Sequence, residues 1–294
     1  MIENVMQTRT RDLVEIFLIY AAVAALGGFI AETVSGSLIW RAGVADLLMT
    51  VAIFASSVWK KNSSAYDAYW SVIPSLLTLW LCFESDGLHW NLWQWLTIIV
   101  VNLWSWRLTL SWARGWRGWP HEDWRYLEFK QNHGNWYPLS NFFGIHLFPT
   151  IIVFVACLGL FTVAHAQTFN PLLMCLGLVI ALLGTVLELV ADNQLANFRK
   201  RTNPLPTDIL RRGIWGVVRY PNYLGEMLFW VGVALCGLGA GGAWWVAVGA
   251  IAMVVLFAAA SIPMKDKRMA AMKPDFESYR STVPGFVPRF RRGR

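Results

Sequence analysis

Long apolar runs recur along the chain, and short polar segments separate them. A helix crosses the roughly 30 Å hydrocarbon core of a bilayer with about 20 residues, and runs of that length predict eight membrane-spanning helices. The third run is short and contains Pro74, so seven full spans with one broken span is the alternative. Because lipid offers no partners to open sheet edges, the pattern predicts an all-α, polytopic membrane protein with seven or eight transmembrane helices. The predicted spans are 13–33, 42–59, 70–84, 91–113, 142–165, 171–195, 221–240 and 243–263.

The composition favours a membrane protein over a soluble one. Of the 294 residues, 56% are hydrophobic and 15% are charged, whereas soluble domains have about 45–50% apolar and about 25% charged residues. The 18 Trp residues point the same way, because Trp concentrates at membrane–water interfaces. The four Cys residues have no CxxC or Cys/His spacing, so neither a disulfide framework nor a metal site is expected. Disordered and collagen-like proteins are excluded as well.

The basic residues lie almost entirely on one side of the predicted membrane. Of 25 Lys and Arg residues, only Arg41 falls in a loop that the eight-span arrangement places outside. By the positive-inside rule, both termini and the active site are expected on the cytoplasmic side, at the plasma membrane if the chain is bacterial. The net charge of +7 is therefore expected to meet membrane lipids, and no nucleic-acid partner is expected. The spans predict a single integral membrane domain over 1–294, with a helix pair in 1–62 and a larger helical region in 65–290.

Carboxylates inside predicted spans are candidates for function, because a charge there costs at least about 2.5 kcal/mol. Glu188 and Asp192 are four residues apart and share one helix face, and Arg199 follows on nearly the same side. This stripe either grips a ligand that enters from the cytoplasm or forms an internal ion-pair network. Asp46, near the start of the second span, is equally open to a functional or a structural role.

The segment 219–226 is the most informative in the chain. Pro221 suits the first turn of a helix, and Asn222 and Glu226, four residues apart, face the same way. A basic turn around Arg212 lies upstream. Basic turns beside helix N-termini hold anions well, although such a turn also suits lipid headgroups. The coupling of this turn to Asn222 and Glu226 favours a phosphate-bearing cofactor.

Several stretches of the sequence form a recognisable pattern. They are Asp67-Ala-Tyr-Trp70, Leu103-Trp-Ser-Trp-Arg107, His121-Glu-Asp-Trp-Arg-Tyr126, Glu188-Leu-Val-Ala-Asp192, Phe198-Arg199, Arg219 to Glu226, Ser261-Ile-Pro-Met264 and Val283-Pro-Gly-Phe-Val-Pro288. With these stretches, residues 65–290 resemble the membrane-embedded steroid 5-alpha-reductase superfamily, in its bacterial branch. Isoprenylcysteine methyltransferases share a similar Arg-x-Pro-x-Tyr-x-Gly segment. The Asn222 to Glu226 and Asp192 to Arg199 spacings fit the reductases better.

The resemblance implies an NADPH-dependent reductase of a conjugated carbon–carbon double bond in a steroid-like or other lipidic substrate, with NADPH in a helical cavity open to the cytoplasm. It implies that Glu226 is catalytic, beside the nicotinamide and the substrate. Glu188 stands where steroid reductases carry an asparagine, and Trp104 stands where they carry a ketone-polarising tyrosine. The resemblance implies cofactor contacts at Asp192, Arg199 and Asn222 and an altered contact at Glu188. Further predicted cofactor contacts are Arg212, Tyr223, Lys267 and Arg268, the basic ones because they can meet a phosphate. The implied substrate contacts are Trp70 and Trp104.

Two other functions stay open at the level of the sequence. The shared Arg-x-Pro-x-Tyr-x-Gly segment is compatible with an S-adenosylmethionine-dependent membrane methyltransferase of the isoprenylcysteine type. A transporter or scaffold is the third interpretation, and it is weakened because the sequence has no repeated halves and no paired broken helices. The sequence leaves the identity of the substrate and the oligomeric state open.

Overall fold

A computed structural model describes residues 2–85, 87–201, 205 and 207–286 of the chain. Every regular element in these ranges is helical, which confirms the predicted all-α class. The chain divides into two compact units, Met1–Gln167 and Thr168–Arg294, and each has its own account below. The predicted organisation as one membrane domain, with a helix pair in 1–62 and a reductase-like region in 65–290, stays a prediction.

The described part of the first unit contains eight α-helices. A 3-10 turn at Ser63–Tyr66 joins the second helix to the third. A π-helical stretch at Asn141–Leu147 joins the sixth to the seventh. The α-helices are α1 (Ile2–Thr33), α2 (Leu38–Lys60), α3 (Tyr69–Glu84), α4 (Leu92–Gly115), α5 (Trp124–His133), α6 (Tyr137–Ser140), α7 (Phe148–Ala156) and α8 (Leu158–His165).

The described part of the second unit contains five α-helices. Pro221 occupies the first turn of α10, as the sequence predicts. A 3-10 turn at Gly213–Gly216 precedes that helix, and a π-helical stretch at Phe257–Ser261 joins α11 to α12. The α-helices are α9 (Pro171–Arg201), α10 (Pro221–Gly239), α11 (Val248–Leu256), α12 (Ile262–Met272) and α13 (Phe276–Thr282).

Six helical stretches of the described chain are long and apolar enough to cross a membrane, so the chain is an integral, polytopic membrane protein. The predicted third and fourth spans form α3 and α4 but are not among the six, since α3 has only 16 residues and the sequence of α4 is rich in Trp and polar residues. The cytoplasmic location of the termini stays a prediction, and Met1 and residues 287–294 lie outside the described residues. The six stretches are Thr8–Thr33, Leu38–Lys60, Trp124–His165, Pro171–Lys200, Pro221–Gly239 and Trp244–Met272.

Glycines determine how closely α9 and α10 pack in the second unit. A Cβ atom built on Gly184 would lie 2.5 Å from the carbonyl oxygen of Gly225, and one built on Gly232 would lie 2.5 Å from that of Gly177. The two glycines of each helix are seven residues apart, about two helical turns, so they lie on one face. Small residues of this kind let transmembrane helices approach backbone to backbone. The contact holds the N-terminus of α10 beside the C-terminal half of α9.

Candidate functional site

The second unit contains a cavity of about 390 Å³ between the C-terminal end of α9, the N-terminus of α10, and helices α12 and α13. Four basic side chains and one carboxylate are among the groups that line it, with three tyrosines and a tryptophan. We call it the α10 cavity. Its lining residues are Leu195, Phe198, Arg199, Leu205, Asp208, Ile209, Leu210, Trp215, Arg219, Tyr220, Asn222, Tyr223, Lys265, Met269, Lys273 and Tyr279.

The basic turn upstream of α10 is docked onto α9. Gly213 has a φ of +62°, which favours glycine, and a Cβ atom there would lie 2.3 Å from Gln194 Oε1. The backbone N–H of Ile214 donates to Gln194 Oε1 at 3.1 Å, and the indole N–H of Trp215 donates to the Ala191 carbonyl at 3.1 Å. These bonds fix Trp215 as one wall of the cavity.

Arg219 and Tyr220 share one carboxylate partner on α12. Arg219 Nη2 donates to Asp266 Oδ2 at 2.8 Å, and the Tyr220 hydroxyl donates to Asp266 Oδ1 at 2.7 Å. Arg219 Nη1 also donates to the Val283 carbonyl at 2.7 Å. Burial raises the pKa of Tyr220, and the bond to Asp266 raises it further, so the hydroxyl stays protonated. The start of α10 is therefore tied to α12 and to the segment after α13.

Aromatic rings form a second part of the wall. The rings of Tyr220 and Tyr223 stack with centroids 5.5 Å apart and planes at 22°. Tyr223 packs in turn against Phe257, at 5.0 Å, where the π-helical stretch begins. This arrangement gives the cavity a flat apolar surface beside its charged groups.

Basic groups also line the cavity. Arg199, Lys265 and Lys273 all line it, and Asp208 is the acidic residue among them. Lys273 donates through Nζ to the Asp208 carbonyl oxygen. Burial lowers the pKa of Lys273, the charge of Arg199 lowers it further, and Asp208 opposes the change. An excess of positive charge in a recess of this kind suits a ligand with several anionic groups.

Two buried polar atoms of lining residues have no hydrogen-bond partner in the described part of the chain. They are Asn222 Oδ1, an acceptor, and Arg219 Nε, a donor. A buried polar atom without a partner costs about 1–3 kcal/mol. A ligand with both an N–H or O–H donor and an acceptor group would satisfy the pair.

The structure brings together some of the residues that the sequence singled out. Arg199, Asn222 and Tyr223 line the α10 cavity. Arg212 lines an adjoining recess of about 610 Å³, which shares Phe198 and Asp208 with the cavity. These four positions come from α9, the basic turn and α10, so residues distant in sequence converge on one place.

Other predicted cofactor contacts do not line the cavity. Asp192 is half-buried on α9, Lys267 is exposed on α12, and Arg268 is half-buried beside it. Lys265 and Lys273 line the cavity instead. Positions four and eight residues apart return to one side of a helix, whereas neighbouring positions point elsewhere. The phase of α12, visible in the 265, 269, 273 spacing, is the signal that separates these lysines.

Glu188 and Glu226 lie deeper, at the contact of α9 with α10. Glu188 is 2% exposed and packs against Gly225, where a Cβ atom would lie 2.4 Å from Glu188 Cγ. Glu226 is 3% exposed, and its Oε1 accepts a hydrogen bond from the indole N–H of Trp230 at 2.9 Å. Neither residue lines the α10 cavity. The assignment of Glu226 as catalytic stays a prediction.

The two predicted substrate contacts lie in the first unit, close to each other. The rings of Trp70 and Trp104 are 6.0 Å apart at 56°. Trp104 is completely buried, whereas Trp70 is half-buried and lines a polar cavity of that unit. Their roles as substrate contacts stay predictions.

In the first unit, the structure shows a buried hydrogen-bonded pair of side chains, Asp46 and Tyr69, that the sequence did not predict. Asp46 is 4% exposed and lines an apolar pocket of about 140 Å³ between α1, α2 and α3. The hydroxyl of Tyr69 donates to Asp46 Oδ1 at 2.9 Å and lies 3.5 Å from the hydroxyl oxygen of Thr50. Asp46 was already a candidate as an intramembrane carboxylate, but its partner on α3 is visible only in the folded chain.

Comparison with known proteins places the chain in a family. Residues 53–283 match the family described as "protein of unknown function (DUF1295)". The chain is also similar to a protein of Schizosaccharomyces pombe named as uncharacterized, with 26% identity over 263 residues that cover 81% of this chain and 76% of the relative. No solved structure gives a significant match. Because the family match covers most of the sequence, the chain belongs to the DUF1295 family.

Proposed function

We propose that this DUF1295-family membrane protein binds NADPH in the α10 cavity and reduces a conjugated carbon–carbon double bond of a steroid-like or other lipidic substrate. The resemblance to steroid 5-alpha-reductases supplies the class of reaction. The cavity is expected to open to the cytoplasm, since the positive-inside rule assigns the basic segments around it to that side.

The proposal rests on the charged side chains and the buried polar atoms that line the α10 cavity. Arg199, Lys265 and Lys273 face one carboxylate, Asp208, among its lining residues, while the fourth basic side chain, Arg219, is already paired with Asp266. Asn222 Oδ1 and Arg219 Nε are buried there and have no hydrogen-bond partner among the described residues. NADPH has phosphates that need cations, hydroxyl and amide N–H groups that need acceptors, and ring systems that need flat apolar walls. The lining of the cavity offers all three.

Individual residues take distinct parts in holding the cofactor. Arg199, Lys265 and Lys273 would meet its phosphates, and Arg212 adds a basic group in the adjoining recess. Asn222 would accept from an N–H or O–H group through Oδ1. The helix N-terminus at Pro221 adds the positive end of the α10 dipole. The excess of basic groups suits the additional 2'-phosphate of NADPH over NADH.

When bound, NADPH supplies a hydride to the substrate double bond. The protein must hold the acceptor carbon in place and stabilise the negative charge that develops on the conjugated oxygen. Glu226, buried beside Trp230 on α10 in the same unit as the cavity, is the carboxyl that we propose for this role. In its protonated form it would donate a hydrogen bond to that oxygen.

The charge of the cavity also separates this proposal from the methyltransferase alternative. S-Adenosylmethionine carries a positive sulfonium and no phosphate. A lining with four basic side chains and one carboxylate opposes that charge and favours polyanionic ligands. The shared Arg-x-Pro-x-Tyr-x-Gly segment supports the methyltransferase only at the level of sequence.

A ligand panel on the full-length protein in detergent tests the proposal. Thermal unfolding is measured with NADPH, NADH and S-adenosylmethionine at equal concentrations, because a ligand that binds the native state raises the melting temperature. We expect NADPH to raise it most and NADH less. Stabilisation by S-adenosylmethionine alone overturns the reductase proposal, and equal stabilisation by both nucleotides contradicts the role of the basic groups at a 2'-phosphate.

A further inference from the structure

The first unit has a polar cavity to which the proposed function assigns no cofactor contact. It has a volume of about 380 Å³, and its lining includes the start of α3, the C-terminal end of α4 and the segment that leads into α5. We call it the Trp116 cavity. The lining residues that matter here are Asp67, Trp70, Trp112, Trp116, Arg117 and Asp123.

The backbone around the Trp116 cavity is held in place by hydrogen bonds from other elements. Arg9 on α1 donates to the Trp116 carbonyl at 2.7 Å and to the Ala113 carbonyl at 3.0 Å. Asp12 accepts from the backbone N–H of Trp119 at 2.9 Å. The side chain of Asn62 donates to the Trp119 carbonyl at 2.8 Å. The site is therefore preorganised, which lowers the entropic cost of binding a ligand.

One part of the lining carries an excess of negative charge. Asp67 accepts from Arg125 Nη2 at 3.2 Å and also from the Tyr126 hydroxyl. Asp123 Oδ1 accepts from Arg125 Nε at 2.7 Å and caps α5 through the backbone N–H of Arg125 at 2.9 Å. Two carboxylates thus share one guanidinium. Arg125 lines the cavity as well, so this part of the lining has one negative charge in excess and favours a cation, while Arg117 balances the lining as a whole.

Tryptophan rings form the apolar part of the same lining. Trp112 and Trp116 pack with centroids 5.0 Å apart at 38°, and Trp70 lines the cavity with them. The faces of such rings attract an ammonium group within about 6 Å. Carboxylates and indole rings in one recess are the chemistry that recognises an organic ammonium.

Two hydrogen-bond donors of the same lining suit an anionic group of a ligand. Trp116 is 5% exposed, and its buried indole N–H has no acceptor among the described residues. Arg117 lines the cavity and is itself exposed. An oxyanion near this edge would pair with Arg117 and supply an acceptor for the indole N–H.

We propose that the Trp116 cavity binds a zwitterionic phosphoethanolamine group, with the ammonium against Asp67, Asp123 and the Trp rings, and the phosphate at Arg117 and Trp116. Tryptophans concentrate where lipid headgroups lie, so the headgroup of phosphatidylethanolamine is one source of this chemistry. Free phosphoethanolamine is the other. The site belongs to the first unit, and the proposal does not depend on the reductase function.

Native mass spectrometry of the full-length protein in detergent tests this site. Short-chain phosphatidylethanolamine is compared with phosphatidylglycerol of the same chains, which lacks the ammonium. We expect at least about tenfold tighter binding of phosphatidylethanolamine, the scale of one charge-assisted contact. Competition by soluble phosphoethanolamine at similar concentrations assigns the site to the free compound, and its absence assigns it to the lipid. Equal binding of the two lipids overturns the proposal.

Matched variants show whether binding occurs at this cavity. Arg117→Gln removes a lining charge, and Arg114→Gln removes an exposed charge three residues away that does not line it. We expect Arg117→Gln to weaken binding of both lipids about tenfold and Arg114→Gln to leave it unchanged. Trp112→Leu should abolish the preference for phosphatidylethanolamine while binding of phosphatidylglycerol persists. Equal effects of the two arginine substitutions, or an unchanged preference in Trp112→Leu, contradict the assignment.

Discussion

Gly225 of α10 lies against Glu188 of α9 so closely that a Cβ atom at position 225 would be 2.4 Å from Glu188 Cγ and 2.7 Å from the Gly184 carbonyl oxygen. The side chain of Glu188 can move aside, but the backbone carbonyl cannot. Gly225 is thus needed for the approach of one helix to another. The same contact sets the position of Asn222, one turn earlier on α10.

We therefore expect Gly225→Ala to force α9 and α10 apart, lowering stability by about 1–3 kcal/mol and weakening binding in the α10 cavity. Thermal unfolding in detergent checks the first effect, and ligand affinity checks the second. Gly28→Ala is the control, because a Cβ atom on that helical glycine meets nothing within 4 Å. Similar melting temperatures for the two variants would show that the close approach is not required.

The shared carboxylate Asp266 gives a second prediction. Asp266→Asn leaves the nearly buried guanidinium of Arg219 without its counter-charge, and breaking a buried pair costs about 3 kcal/mol or more. We expect a clear fall in melting temperature together with loss of binding in the α10 cavity. Asp275→Asn removes an exposed carboxylate that pairs with Arg211 at 3.6 Å and should change little. If both variants melt alike, Asp266 does not anchor the start of α10.

The lowered pKa of Lys273 gives a prediction about pH. As pH rises, Lys273 loses its proton earlier than an ordinary lysine, and the cavity loses a positive charge. Affinity for a phosphate-bearing ligand should therefore begin to fall at pH values below the ordinary lysine pKa of about 10.4. Tyr279, whose burial raises its pKa to about 12, contributes nothing in that range. Binding titrations of the wild type and of Lys273→Met should differ in slope, and parallel profiles contradict the assignment.

A substitution at Glu226 tests its predicted catalytic role. Glu226→Gln keeps an oxygen that accepts from Trp230, so we expect it to fold and retain NADPH while single-turnover NADPH oxidation falls by roughly 10²-fold or more. Near-normal turnover in Glu226→Gln would contradict the catalytic assignment.

The helical class and the segment at the start of α10 were predictable because both depend on local patterns. Apolar run length predicts helices, and Pro221 followed by Asn222 predicts a helix start. Glu188 was harder to interpret, because a carboxylate in a span near basic residues resembles a ligand contact. Its packing against Gly225 depends on which helix lies opposite, and that information is tertiary.

The basic residues on α12 show a second feature that sequence patterns could not predict. Lys265, Lys267 and Arg268 are all cationic residues, and only the rotation of the helix about its axis separates those that face the cavity from those that do not. The bond between Asp46 and Tyr69 joins two helices and has no local signature. Sequence patterns therefore located the region of the candidate site, whereas side-chain selection within it required the packed structure.

The affinity of NADPH for the full-length protein, followed by nucleotide fluorescence in the wild type, Arg199→Ala and Lys200→Ala, tests the central claim most directly. Arg199 lines the α10 cavity, and Lys200 is its exposed neighbour with the same charge outside the lining. The loss of one charge-assisted contact, about 1.5–3 kcal/mol, predicts a Kd at least about tenfold higher for Arg199→Ala and an unchanged Kd for Lys200→Ala. Absence of NADPH binding to the wild type, or equal Kd values for all three proteins, would contradict the account.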